Sequence, residues 1–198
     1  MQTTRGIVLR VIRHSDSRII VSLFTEHYGM LSAGVRLTRG GRTGGRSALW
    51  QMLNVVEMSV DYRPASELQK ISDVSISTPW MDLPYSPVKA SISMFLGEFL
   101  FRSLRGEGEN RPLFSFLYNS LRWLDEAEGN VANFHVLLMI RMTRFLGIWP
   151  GMAGYGRNMV YDMKNACFSA SIPVHGQYLE PRDAMWIPLL LEMDYSRM

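Results

Sequence analysis

The sequence predicts an α+β chain: a small five-stranded β-barrel at the N-terminus, then a helical domain carrying a small β-hairpin insertion. Three observations predict it. Residues up to about 78 hold short β-branched runs separated by turn residues. Pro79, Pro84 and Pro87 then mark a break. Beyond them apolar residues recur at spacings of three and four, the helical period. The expected division is a domain over residues 1–79 and another over 80–198.

Gly6–Arg13 and Arg18–Thr25 read as the first two strands, with His14–Ser17 as the turn between them. Glu26–Gly29 separates the second strand from a third over Met30–Val35. In Leu53–Tyr62 the pattern alternates, placing Val56, Met58, Val60 and Tyr62 on one face and Glu57, Ser59 and Asp61 on the other. Leu68–Ser77 supplies a fifth strand. Five short strands in about 75 residues suit a small closed barrel of the OB type.

In the helical part, Ile92, Phe95, Leu96, Phe99, Leu100 and Leu104 form one apolar stripe. Leu113, Leu117, Leu121 and Leu124 form a second, with Pro112 placed to start its helix. Phe134, Leu138, Met142 and Phe145 form a third. Stripes of this kind are core. Met159–Met163 and Ala166–Ala170 pair as a hairpin across Lys164 and Asn165, and Pro181–Leu191 begins a further helix.

Composition bounds the function. With 47% apolar and 20% charged residues the chain is an ordinary globular one. No run reaches the roughly 20 apolar residues that cross a bilayer. Cys167 is the single cysteine, so no intrachain disulfide forms and a cytoplasmic location is expected. His14, His27, His135 and His175 are scattered, and no Cys-x-x-Cys occurs, so neither a metal nor a catalytic residue is expected. The carboxylate pairs Glu107/Glu109 and Glu126/Glu128 read as solvated loop charge.

The charge is uneven. Residues 1–50 hold eight arginines against Asp16 and Glu26, a formal +6 in a chain whose total is +3. A basic front half is a footprint for a polyanion. Arg36–Ser47 is its densest part, where Arg36, Arg39, Arg42 and Arg46 alternate with glycines. Such a segment binds single strands by charge and stacking. It also nearly spells a phosphate-binding loop over Gly40–Ser47, but Arg46 stands where that motif needs lysine and a strand soon follows. The nucleic-acid set is Arg10, Arg13, Tyr28, Arg36, Arg39, Arg42 and Arg46. Tyr28, at a hairpin tip, is the expected exposed aromatic; Phe24 and Tyr62 are expected in the core. Arg102 and Arg105 on the first helix, with Arg141 and Arg144 on the third, read either as solvated helix faces or as an arginine rim that receives an acidic, apolar-ended peptide.

These segments also carry a family likeness. Gly6–Arg10, Ser15–Ile20 and Leu23–Ser32 resemble the opening of the bacterial RecO recombination mediators. The basic loop at Arg36–Arg46 falls where that family has one. Phe145–Pro150 is similar to the family's helix end before its zinc-binding or zinc-less hairpin, and Pro173–Pro181 looks like members from Bacteroides-like bacteria. The resemblance implies an N-terminal OB barrel and a C-terminal helical domain. It implies binding of single- and double-stranded DNA, annealing of complementary strands, and help in RecA loading, at the nucleoid. The implied partners are RecR and the acidic tail of single-strand-binding protein, the latter on the arginine rim. The four zinc cysteines of some members are missing, so no zinc is expected. The chain also ends earlier than the family pattern, so a final helical segment is expected beyond it. The alternative reading is a protein–protein scaffold with incidental nucleic-acid affinity, which salt-dependent binding of single strands distinguishes.

Overall fold

The computed structural model describes residues 1–37 and 48–195. It divides into two compact units, Met1–Gly129 and Asn130–Met198.

The first unit begins with five strands: β1 (Gln2–Ser15), β2 (Arg18–Thr25), β3 (Gly29–Arg36), β4 (Val55–Asp61) and β5 (Lys70–Thr78). They form one antiparallel sheet in the order β3-β2-β1-β4-β5. The long β1 serves both halves, pairing β4 through Gln2–Ile7 and β2 through Gly6–Ser15. The two edges of the sheet meet: Gln69, just before β5, forms a parallel bridge with Ala33 of β3, and its N–H donates to the Ser32 carbonyl at 2.8 Å. This is the OB arrangement that the strand spacing predicts. Val8, Val21, Leu23, Leu31, Ala33, Val56, Met58 and Val60 fill the interior together with Trp50. Burial of such side chains is the main stabilising term, about 1.5–3 kcal/mol each.

One correction concerns β4, and β1 carries an irregularity. Val56, Met58 and Val60 are buried as expected, but Tyr62 is 45% exposed. The strand ends at Asp61, so the alternation no longer governs the next residue. In β1 the register with β2 shifts between Val8 and Arg10. The extra residue, Leu9, is buried, and Arg10 lies opposite Ser22 instead of the interior residue Val21. A one-residue slip sends a side chain to the other face of a sheet, so this irregularity keeps Arg10 out of the barrel.

Beyond the strands come α1 (Pro87–Ser103) and α2 (Arg111–Glu126). Both start on a proline in the first turn, and Asn110 caps α2 by accepting the Leu113 N–H at 3.1 Å. The second stripe is fully buried, and so are Leu96, Leu100 and Leu104 of the first; Phe95 remains 46% exposed. These helices cover part of the sheet's outer face, where Phe114 of α2 lies 6.3 Å from Phe24.

A buried charge network fixes that arrangement. Asp125 of α2 accepts the N–H groups of Met81, Asp82 and Leu83 at 2.9, 2.9 and 2.7 Å, closing the turn that leads to α1. Burial opposes its charge, but these three donors and the nearby Lys89 outweigh it and hold the carboxyl below the usual aspartate range. Lys89 is 4% exposed and directs its ammonium to the Asp125 and Ala127 carbonyls and to the Asp82 carboxylate at 2.7 Å. Three acceptors match three donors, which is how an ammonium tolerates burial.

In the second unit, α3 (Phe134–Met142) buries Phe134, Leu137, Leu138 and Met142. The hairpin β6 (Val160–Asp162) and β7 (Cys167–Ser169) forms across the expected turn, and β8 (Tyr178–Leu179) adds a third strand beside β6. Asp162 knits it together, accepting from the Lys164 and Asn165 N–H groups at 2.9 Å, the Asn165 amide at 2.7 Å and His175 Nε2 at 3.1 Å. The Asn165 N–H contributes most to lowering its carboxyl, against the effect of burial. Two short helices follow, α4 (Pro181–Ala184) and α5 (Ile187–Glu192).

Candidate nucleic-acid interface

The outer face of β1–β3 is built by the same alternation that builds the core. Leu23, Val21 and Ile19 of β2 point inward, so Ser22, Ile20 and Arg18 point outward. The ladder places partners beside them: Arg10 and Ser32 flank Ser22, Ile12 and Gly34 flank Ile20, and Arg36 lies opposite Arg18. The two serine hydroxyls are 3.2 Å apart. Where α1 and α2 stop covering this face, a groove of about 570 Å³ opens. Its floor is Arg10, Ile12, Ile20, Ser22 and Ser32, one wall is Phe101 and Arg105, and the other is Tyr62 with the β4–β5 loop. In OB folds this strand face and this loop hold oligonucleotides.

Gln69 shapes the loop wall. It is 6% exposed, accepts the Arg63 N–H at 2.8 Å, and donates to the Arg63 and Ser66 carbonyls at 3.0 and 2.6 Å. A buried side-chain amide that satisfies three backbone groups fixes the loop as a hairpin does.

Among the described residues, the groove's arginines form no ion pair with a carboxylate. Arg5, Arg63, Arg102, Arg111 and Arg122 are each paired with a glutamate or aspartate, and Lys89 with Asp82. Arg10, Arg13, Arg18, Arg36 and Arg105 form no such pair among the described residues. Arg10 instead lies over the Phe101 ring at 4.8 Å. Arg18 and Arg36 are exposed and directly opposite on neighbouring strands, an arrangement of like charges that works against the sheet.

Of the sequence-derived set, Arg10, Arg13 and Arg36 are exposed on the barrel. Arg39, Arg42 and Arg46, and with them the near phosphate-loop motif, lie outside the described residues. Tyr28 is half-buried and stacked on Tyr62 at 4.6 Å, so Tyr62 is the more exposed ring of the two. The structure places Arg105 past the end of α1 and in the groove lining: α1 ends at Ser103, and the chain turns at Gly106, φ +82°, before α2. Helical spacing alone groups it with Arg102, which is paired with Glu98 at 2.5 Å. Arg141 and Arg144, in the second unit, have different surroundings. Arg141 donates to the Met193 carbonyl, while Arg144, beyond the end of α3, lies over the Trp149 ring at 4.4 Å. The expected solvated carboxylates are partly engaged: Glu109 pairs with Arg111, Glu126 with Arg122, and Glu107 accepts from Asn110.

Among the described residues no group of three or more His, Cys, Asp and Glu stands together as metal ligands do, and no helix is long and apolar enough to cross a membrane.

An OB-type barrel followed by helices is the order in which the two family models for recombination protein O match the chain. Residues 1–80 match the family model for the N-terminal domain of recombination protein O, and residues 84–154 match that for its C-terminal domain. The chain is 42% identical over 198 residues to DNA repair protein RecO of Phocaeicola vulgatus, covering all of this chain and 82% of that protein. It is 39% identical to DNA repair protein RecO of Bacteroides fragilis, with the same coverage, and 28% identical to that of Porphyromonas gingivalis over 98% of this chain and 81% of the relative. The chain belongs to the RecO family of DNA repair proteins.

Proposed function

We propose that this chain is a non-enzymatic mediator of DNA repair and recombination that binds single- and double-stranded DNA on the outer face of its barrel. The observation that carries this is a group of arginines on the barrel, Arg10 and Arg105 in the groove lining and Arg18 and Arg36 on the neighbouring strand positions of the same face, none of which forms an ion pair among the described residues. Like charges held together without counter-charges disfavour the fold, and a phosphate backbone supplies what they lack. Arg10, Arg13, Arg18, Arg36 and Arg105, with Arg39, Arg42 and Arg46 of the basic loop, hold phosphates. By neutralising both backbones they let complementary strands anneal.

RecR and the acidic tail of single-strand-binding protein are the proposed partners, through which the chain helps RecA loading. Family membership supports this, and Arg141 and Arg144 are the proposed cations for the tail. The fold is proposed to need no zinc, and the protein to work at the nucleoid. Titration of labelled single-stranded DNA across a salt series tests the central reading. Affinity that falls steeply with salt is expected; affinity indifferent to salt would leave only the scaffold reading. Calorimetry with an acidic peptide ending in Pro-Phe tests the tail site, where Arg141→Ala and Arg144→Ala should each weaken binding; equal affinity in all three proteins would reject this placement.

A further inference from the structure

The groove holds one feature that phosphate binding does not use. Tyr62 stands just past the end of β4, 45% exposed, and lines the groove beside the β4–β5 loop. One face of its ring is covered by Tyr28, with centroids 4.6 Å apart and planes inclined by 22°. Tyr28 is itself anchored. Its hydroxyl donates to Gln2 Oε1 at 3.2 Å, and its backbone N–H donates to the Thr25 hydroxyl, also at 3.2 Å. Thr25 is buried and donates in turn to the Gly29 carbonyl at 2.8 Å. On the other side of Tyr62, the Gln69 bonds described above hold the loop in place. An exposed ring that is fixed from behind, at the edge of a cationic groove, is a preorganised stacking surface.

We infer that Tyr62, backed by Tyr28, is the base-stacking residue of this groove, with Arg10 and Arg105 taking adjacent phosphates, and that it gives the groove a preference for single strands. The inference rests on the nucleic-acid reading above. In a duplex the faces of the bases are occupied by their neighbours, so only an unpaired strand offers one to Tyr62. Base–aromatic stacking is tolerant of sequence because every base has a π face. Glu67, the one carboxylate among the described residues of the groove lining, lies in the same loop as Tyr62 and disfavours a second backbone there. Arg10 and Arg105 are therefore general to any phosphate chain, whereas Tyr62 distinguishes an unstacked strand from a paired one.

The test uses the whole chain with Tyr62→Ala, Tyr62→Phe and the double variant Arg10→Ala/Arg105→Ala. The probes are labelled oligo(dT) and a duplex of the same length. Tyr62→Ala is expected to weaken oligo(dT) binding about ten-fold, with an unchanged salt slope and unchanged duplex affinity. Tyr62→Phe should retain wild-type binding. If Tyr62→Ala binds oligo(dT) normally while the arginine variant is weakened, the stacking role is wrong and the nucleic-acid reading stands. If neither variant loses affinity, both fail. An equal loss on duplex and single strand would overturn the single-strand preference, and matching melting curves for Tyr62→Ala and wild type separate binding from folding.

Discussion

Replacing both Arg18 and Arg36 by alanine should move stability and DNA binding in opposite directions. The two are register partners on β2 and β3, both exposed, and neither forms an ion pair among the described residues. In the free protein they repel. Their removal is expected to leave the melting temperature equal or slightly higher, most visibly at low salt, where screening is weakest. On DNA each is proposed to hold a phosphate. Each contact contributes about 0.7 to the slope of log affinity against log salt on a single strand. Losing two flattens the slope by about 1.4, so the wild type's advantage over the variant shrinks roughly seven-fold between 50 and 200 mM salt. Fluorescence anisotropy with a labelled single strand reads the slope, and a thermal melt reads stability. Arg102→Ala/Arg122→Ala is the control, because each of these arginines has a glutamate one helical turn away. An unchanged slope in the Arg18/Arg36 variant would refute the phosphate assignment. A fall of several degrees in melting temperature would refute the claim that the pair is held against its own repulsion.

Asp125→Asn should destabilise the first unit by about 2–3 kcal/mol, since an amide cannot accept all three backbone N–H groups. Because the folded carboxyl is held below its ordinary range, its contribution is full above the unfolded aspartate value and is lost as pH falls through the folded one. The difference between wild type and variant in a denaturant titration should therefore shrink on acidification, and a constant difference down to about pH 2 would contradict this. Gly29→Ala should cost at least 2 kcal/mol: the residue has φ +66° and its added Cβ would stand 2.1 Å from the Gly108 carbonyl oxygen, in the loop that follows Arg105. A melt within a degree of wild type would show that this loop gives way freely. Chelator-treated and untreated chains should melt alike; stoichiometric zinc whose removal unfolds the protein would overturn the metal-free expectation.

The sequence showed the architecture more clearly than the site. The bounds of β2 follow directly from its β-branched run, and the stripes of α1 and α2, Phe95 excepted, lie in the core because their period is regular over several turns. β8 was missed because two residues carry no period. Tyr62 read as core because alternation extends on paper past Asp61, where the ladder stops. Arg105 read as a helix-rim residue because spacing assumes that the helix continues. The Lys89–Asp125 network had one visible trace: a lysine on the buried stripe that includes Ile92 and Leu96 must have partners. One partner, Asp82, is seven residues away, but the two carbonyls are nearly forty positions away, and no local pattern encodes them.

Because β1 is shared by both halves of the barrel, synthesis order matters. The β1–β2–β3 meander can assemble once residue 36 has left the ribosome, but the other edge of β1 must wait for β4, about 25 residues later. At ordinary elongation rates that is roughly one to five seconds. Through that interval Ile7 has an open strand edge beside the unsealed side chains of Val8 and Leu9, a template for wrong pairing. Chaperone binding to the nascent chain should therefore peak between the emergence of β3 and that of β4 and fall once β4 docks.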